Sequence, residues 1–145
     1  MLPLLTAPQI READAYTIAN EPISSINLME RASKAFVGWF LNHFPDRDRQ
    51  IAVYCGTGNN GGDGLAIARI LNDHKYLNIT VKVAHFSEKT TSDFDVNLSR
   101  VMNMQVDLHD LRPDAPFPTE KADIIIDALL GSGLNKPLAG DYKRL

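Results

Sequence analysis

One cysteine, Cys55, is the whole thiol inventory of this 145-residue chain. A lone cysteine excludes an internal disulfide framework and fits a reducing compartment. Long apolar runs are missing too: no stretch approaches the ~20 residues of a membrane helix. The short apolar start Met1-Leu2-Pro3-Leu4-Leu5 lacks the basic flank of a secretion signal. Basic charge is also scarce. Fifteen Lys and Arg against eighteen Asp and Glu leave a net charge of −3, and the cations are scattered, which argues against nucleic acid or an anionic membrane as partner. The four histidines, His43, His74, His85 and His109, show no metal-ligand spacing. No internal repeat or low-complexity segment is present. These absences point to one domain over residues 1–145, with the cytoplasm as expected address.

What the chain does have is periodic. Thr6-Ala7-Pro8-Gln9 reads as a capping box that opens a helix running to about Ala19, before Pro22. A second helix starts near Ser24 or Ser25, carries Leu28, Ala32, Phe36, Trp39 and Phe40 at helical spacing, and ends before Pro45. The period then changes. Ile51-Ala52-Val53-Tyr54-Cys55 is a short apolar run, as a buried parallel strand should be. A helix carrying Leu65, Ala68 and Leu71 follows, then a strand from Ile79 to Phe86 and a helix from about Asp93 to Met102. Met104 to Leu108 reads as a weak strand, Pro113, Pro116 and Pro118 as a loop, and Ile124-Ile125-Ile126 as the clearest strand. Strands alternating with helices imply parallel pairing. The expected fold is a Rossmann-like three-layer αβα sandwich, with a mainly parallel sheet and two leading helices. Asp141 to Leu145 reads as one opening turn of a further helix, so the domain is expected to be incomplete at its C-terminal end.

Five of the nine glycines fall in one run, Gly56-Thr57-Gly58-Asn59-Asn60-Gly61-Gly62-Asp63-Gly64. It follows a strand and opens a helix, the setting of a phosphate-binding turn, where backbone amides and the helix dipole meet an anion. No lysine and Ser/Thr close it, so it is not the phosphate loop of a kinase or ATPase. The acidic residue that holds the ribose in NAD-dependent dehydrogenases is missing at the end of the next strand, His85-Phe86-Ser87. Asn59, Asn60 and Asp63 crowd the run with side-chain oxygens instead. Such oxygens suit a hard cation or a polar reacting group, although asparagine and aspartate also cap helices and tolerate turns. A second glycine loop, Gly131-Ser132-Gly133-Leu134-Asn135-Lys136-Pro137, follows Asp127 at the end of the last strand. In open α/β sheets ligands gather at that end. Asp127 is therefore a candidate ligand-side carboxylate, with a turn or helix cap as its other reading.

Asn59-Asn60-Gly61-Gly62-Asp63-Gly64-Leu65-Ala66-Ile67-Ala68-Arg69 and Asp127-Ala128-Leu129-Leu130-Gly131-Ser132-Gly133 together resemble the NAD(P)H-hydrate epimerase family, the YjeF N-terminal domain. Leu5-Thr6-Ala7-Pro8-Gln9 and Leu28-Met29-Glu30-Arg31-Ala32 resemble its opening helices. The resemblance implies an isomerase that interconverts the R and S forms of hydrated NADH or NADPH, so that an ADP- or ATP-dependent dehydratase can restore the cofactor. It implies that Asn59, Asn60, Gly61, Gly62 and Asp63 contact the nucleotide, together with Gly131, Ser132, Gly133, Leu134, Asn135, Lys136 and Pro137. It implies a potassium ion on Asn60 and Asp127, a homodimer through the leading helices, and a dehydratase either fused or separate. Asp63 and Asp127 are the carboxylates available for general acid–base work. Nothing in the sequence reads the ribose 2′ position, so NADH and NADPH hydrates are not told apart. A binding scaffold of the same fold is the alternative, and the Asp93/Asp95 pair reads as a helix start or solvated face.

Overall fold

In a computed structural model that describes residues 4–117, 119–134 and 137–145, nine elements follow one another. They are α1 (Ala7–Asn20), α2 (Ser25–His43), β1 (Ile51–Cys55), α3 (Asn59–Asp73), β2 (Ile79–Ala84), α4 (Ser92–Met102), β3 (Asp107–Leu111), β4 (Ile124–Ala128) and α5 (Asp141–Arg144). The strands form one sheet in the order β3-β2-β1-β4, every neighbouring pair parallel. β1 is thus central, and all five of its residues are buried, which accounts for its unbroken apolar run.

Strand parity divides the core. Ile51, Val53 and Cys55 of β1 join Ile126 of β4 and the buried faces of α2, α3 and α4 in the larger cluster. Ala52 and Tyr54 face the other way, toward Phe86, Phe117, Leu129 and Leu145. Helices α2 to α4 therefore cover one face. The single turn α5 and loop residues meet the other, where Ile125 remains 55% exposed. The α2 stripe is Met29, Ser33, Val37 and Phe40, spaced four, four and three residues as one helical face requires. Trp39, by contrast, is 48% exposed and stacks on His43 at 4.4 Å.

The capping box at Thr6 forms, its amide donating to Gln9 Oε1 at 2.8 Å. Three boundaries differ from expectation. Helix α3 starts at Asn59, inside the glycine run rather than after it. The strand expected to reach Phe86 ends at Ala84, beyond which Phe86 packs on Phe117 and Tyr142. The weak strand expected at Met104–Leu108 lies instead at Asp107–Leu111. Met104 still belongs to the α4 exit, its amide donating to Val101 O, and β2 offers partners from Thr80↔Asp107 to Ala84↔Leu111. Within the described sheet β3 is an edge, so Asp107, His109 and Asp110 stand exposed. Apolar content is a weak guide to such a strand; hydrogen-bond register decides it. Pro118, one of the expected loop prolines, lies outside the described residues.

Candidate functional site

The two glycine segments meet where β1 and β4 end side by side. Cys55 pairs with Ala128, and the Gly56 amide donates to Ala128 O at 3.0 Å. A Cβ on Gly56 would lie 2.1 Å from the Leu129 carbonyl oxygen, so only glycine lets the two backbones come this close. Gly131 is similarly pressed against Asn60: a Cβ there would stand 3.1 Å from the Asn60 Cβ and 3.5 Å from its Oδ1. Asn60 of the first run therefore lies directly beside the second loop, two strands having carried both there. Thr57 anchors the same corner from the opposite side. Its hydroxyl donates to Lys89 O at 2.8 Å and its carbonyl accepts from the Thr91 amide at 3.2 Å, tying the glycine run to the approach of α4.

The expected site residues divide between two cavities. Asn59 and Asp63, four residues apart on α3, line a cavity of about 380 Å³ with Arg11 and Asp14 of α1 and Ser25 and Met29 of α2. Asp127 lines another, of about 480 Å³, with Tyr54, Glu120 and an apolar wall that includes Leu129, Leu130 and Leu134. Parity explains the split. Ile124 and Ile126 turn toward α3, so Ile125 and Asp127 turn to the opposite face, and Asp127 sits in register beside Tyr54. The structure brings Asn60 to the second loop but does not bring Asp63 and Asp127 into one cavity. Gly61 and Gly62 are buried in the first turn of α3. Gly131, Ser132, Gly133, Leu134 and Pro137 are exposed. Asn135 and Lys136 lie outside the described residues.

The two carboxylates differ electrostatically. Burial, and after it the charges of Asp14 and Asp93, push the Asp63 carboxyl up to about 6. Asp127 is exposed and its Oδ1 accepts from the Leu129 amide at 3.0 Å, so part of its role is to fix the turn into the second loop. On the same sheet face the Tyr54 hydroxyl donates to Glu120 Oε2 at 2.7 Å, and Lys82 Nζ donates to the same oxygen at 2.6 Å. The hydrogen bond from Lys82 outweighs burial and holds Glu120 down at about 2. Cys55 is buried and its thiol is pushed up by that burial, which suits packing rather than nucleophilic work.

Two residues were missed as parts of this region. Asp93 stands in the first turn of α4, as the helix-start reading has it, but is only 8% exposed, with Ser25 Oγ donating to its Oδ2 at 2.5 Å, so the alternative of a solvated face fails for it. Asp95 does remain exposed. Arg11 reaches from α1 to the second loop, its Nη1 donating to Ser132 O at 3.4 Å. Neither belongs to a motif; only the helical spacing of Arg11 and Asp14 hinted that one face of α1 is polar for a reason.

A parallel sheet with a glycine turn opening a helix at its carboxyl end, and a second glycine loop beside it, is a Rossmann-like α/β domain. The family model described as YjeF-related protein N-terminus matches residues 25–145, and the chain belongs to that family. It is 36% identical over 138 residues to an NAD(P)H-hydrate epimerase of Limosilactobacillus fermentum, covering 95% of this chain and 64% of that protein. It is 35% identical over 142 residues to a bifunctional NAD(P)H-hydrate repair enzyme Nnr of Coxiella burnetii, covering 94% of this chain and 27% of that protein. The crystal structure of the yeast protein YNL200c superposes with a TM-score of 0.78 at 24% identity, over 99% of this chain and 63% of that one. The chain thus spans about 64% of the length of the first of these epimerases, and the fold agrees with the solved relative.

Among the described residues no helix is long and apolar enough to cross a membrane, and no group of three or more His, Cys, Asp or Glu side chains is disposed to hold a metal ion. The side-chain oxygen beside Gly131, Asn60 Oδ1, is a hard donor.

Proposed function

We propose that this chain epimerises the hydrated form of a reduced nicotinamide dinucleotide, as the names of its relatives suggest. The observation that carries the reading is the meeting of two glycine turns at adjacent strand ends, with a carboxyl raised to about 6 in the first of them. The turns supply amides and a helix N-terminus for the pyrophosphate. Asp63 supplies a proton near neutral pH, where an ordinary carboxyl would have lost it.

The hydrate carries a hydroxyl on the ring carbon next to nitrogen. Asp63 donates its proton to that hydroxyl oxygen while the nitrogen lone pair forms a C=N bond; the C–O bond breaks and water leaves. Water then adds to the same carbon from the other face, the C=N electrons return to nitrogen, and the proton released goes back to the Asp63 carboxylate. Substrate and product are epimers, and no redox equivalent is consumed. Asn60 and Asp127 would hold a potassium ion, which when bound would supply positive charge to the dinucleotide's anionic groups. Asp127 then serves ion and turn, and Asp63 serves the proton, in keeping with their separate surroundings. A homodimer, and a dehydratase that consumes the S epimer, complete the proposal.

The test supplies mixed R and S hydrates, an S-specific dehydratase and potassium, and follows recovery of NADH absorbance. Full recovery supports epimerisation; a persistent R fraction overturns it and leaves a binding scaffold. With Asp63 as acid, the rate falls as pH rises through about 6.

A further inference from the structure

Asp63 does not face its cavity alone. From α1 it meets Arg11 and Asp14, from α2 the uncharged Ser25 and Met29, and from α4 the charge of Asp93. Asp93 is the buried member of this group. Its one described side-chain hydrogen bond comes from Ser25, the first residue of α2, at 2.5 Å. Asn97, also buried, donates from Nδ2 to Asp93 O at 3.1 Å and fixes the backbone beneath it. The start of α4 is held against the glycine run by Thr57. It is so close that a Cβ on Gly62 would stand 3.3 Å from the Phe94 amide nitrogen and 3.0 Å from Met29 Sδ.

We propose that Ser25 and Asp93 are positioning residues for Asp63: their hydrogen bond joins the starts of α2 and α4 around the glycine helix and fixes a buried carboxylate behind Ser25, which lines the Asp63 cavity. A fixed negative charge there opposes ionisation of Asp63. Free rotation of Asp93 would let it swing away or draw in water, and the opposition would fade. Ser25 is thus needed for its hydroxyl, not its size. The inference rests on Asp63 as proton donor, yet its physical content can be read without substrate.

The experiment follows the carboxyl carbon of Asp63 by NMR through a pH titration of the substrate-free protein. Wild type, Asp93→Asn, Ser25→Ala and Ser25→Thr are compared, with a thermal melt of each. Asp93→Asn keeps the shape and removes the charge, so the Asp63 midpoint should fall by a fraction of a pH unit, burial and Asp14 holding up the rest of its rise. Ser25→Ala should lower it by less, and Ser25→Thr should restore it. In the coupled assay the pH limb should move by the same interval in kcat, with KM unchanged. An Asp63 midpoint unmoved in folded Asp93→Asn overturns the proposal. If that variant does not fold, an unmoved midpoint in Ser25→Ala overturns it. A wild type that titrates as described but leaves the R hydrate untouched sinks the epimerase reading instead.

Discussion

Asp63 and Asp127 are the same side chain beside two touching glycine turns, and their surroundings separate them. Asp63 is the fifth residue of a largely buried helix, itself half-buried and within the field of Asp14 and Asp93, with its carboxyl raised to about 6. Asp127 is the last residue but one of β4, an edge strand of the described sheet, exposed, with one oxygen accepting from its own loop. A carboxylate in the first environment works against the fold at neutral pH. The proposed proton transfer and the proposed ion holding therefore fall to different aspartates in different cavities, because the environment and not the residue type sets the role.

Changes at these turns should rank accordingly. The largest effect is expected where the two turns touch. Gly56→Ala drives a methyl into the Leu129 carbonyl, which the two paired strands cannot relieve. The stability to urea should fall by about 2–3 kcal/mol or folding should fail. A variant as stable as wild type would mean the turns are not in contact.

Asp63→Asn should move stability the other way. The folded carboxyl keeps its proton up to about 6, whereas an unfolded aspartate releases it near pH 4. The folded state therefore binds more protons between these values, and stability is lost as pH rises across that window. Removing the charge should restore on the order of 1 kcal/mol above pH ~7, and nothing below pH ~4. Thermal melts at the two pH values check this, and a pH-independent change would contradict it. The same substitution should reduce epimerisation by on the order of a hundredfold.

Asp127→Asn should have the smallest effect on the fold. An asparagine Oδ1 can still accept from the Leu129 amide, so stability to urea should shift by less than about 0.5 kcal/mol. Activity should fall and lose its response to potassium. A loss of stability as large as that of Gly56→Ala would contradict the exposed, turn-fixing place of Asp127.

Much of this was legible in the sequence. Ile51–Cys55 was bounded to the residue because a central parallel strand must be apolar on both faces. Thr6 and Gln9 announced the start of α1 through local hydrogen bonding alone. Edge strand β3 was displaced because its exposed side carries Asp107, His109 and Asp110, and pairing with β2 overrides composition. The glycine run and its asparagines marked the right corner of the sheet. Its division into two cavities was written in strand parity, since Asp127 shares the face of Ile125 and not of Ile126. Asp93 stayed hidden for a different reason. Its burial depends on Ser25, 68 residues away, and no local pattern encodes that contact.

The most direct measurement of the central claim is the conversion of a pure S hydrate in water enriched in oxygen-18, with the protein and potassium present. The account predicts that the R epimer appears and carries the heavy oxygen on the hydrated ring carbon. No R epimer above the rate without protein, or an R epimer that retains the original oxygen, would contradict it.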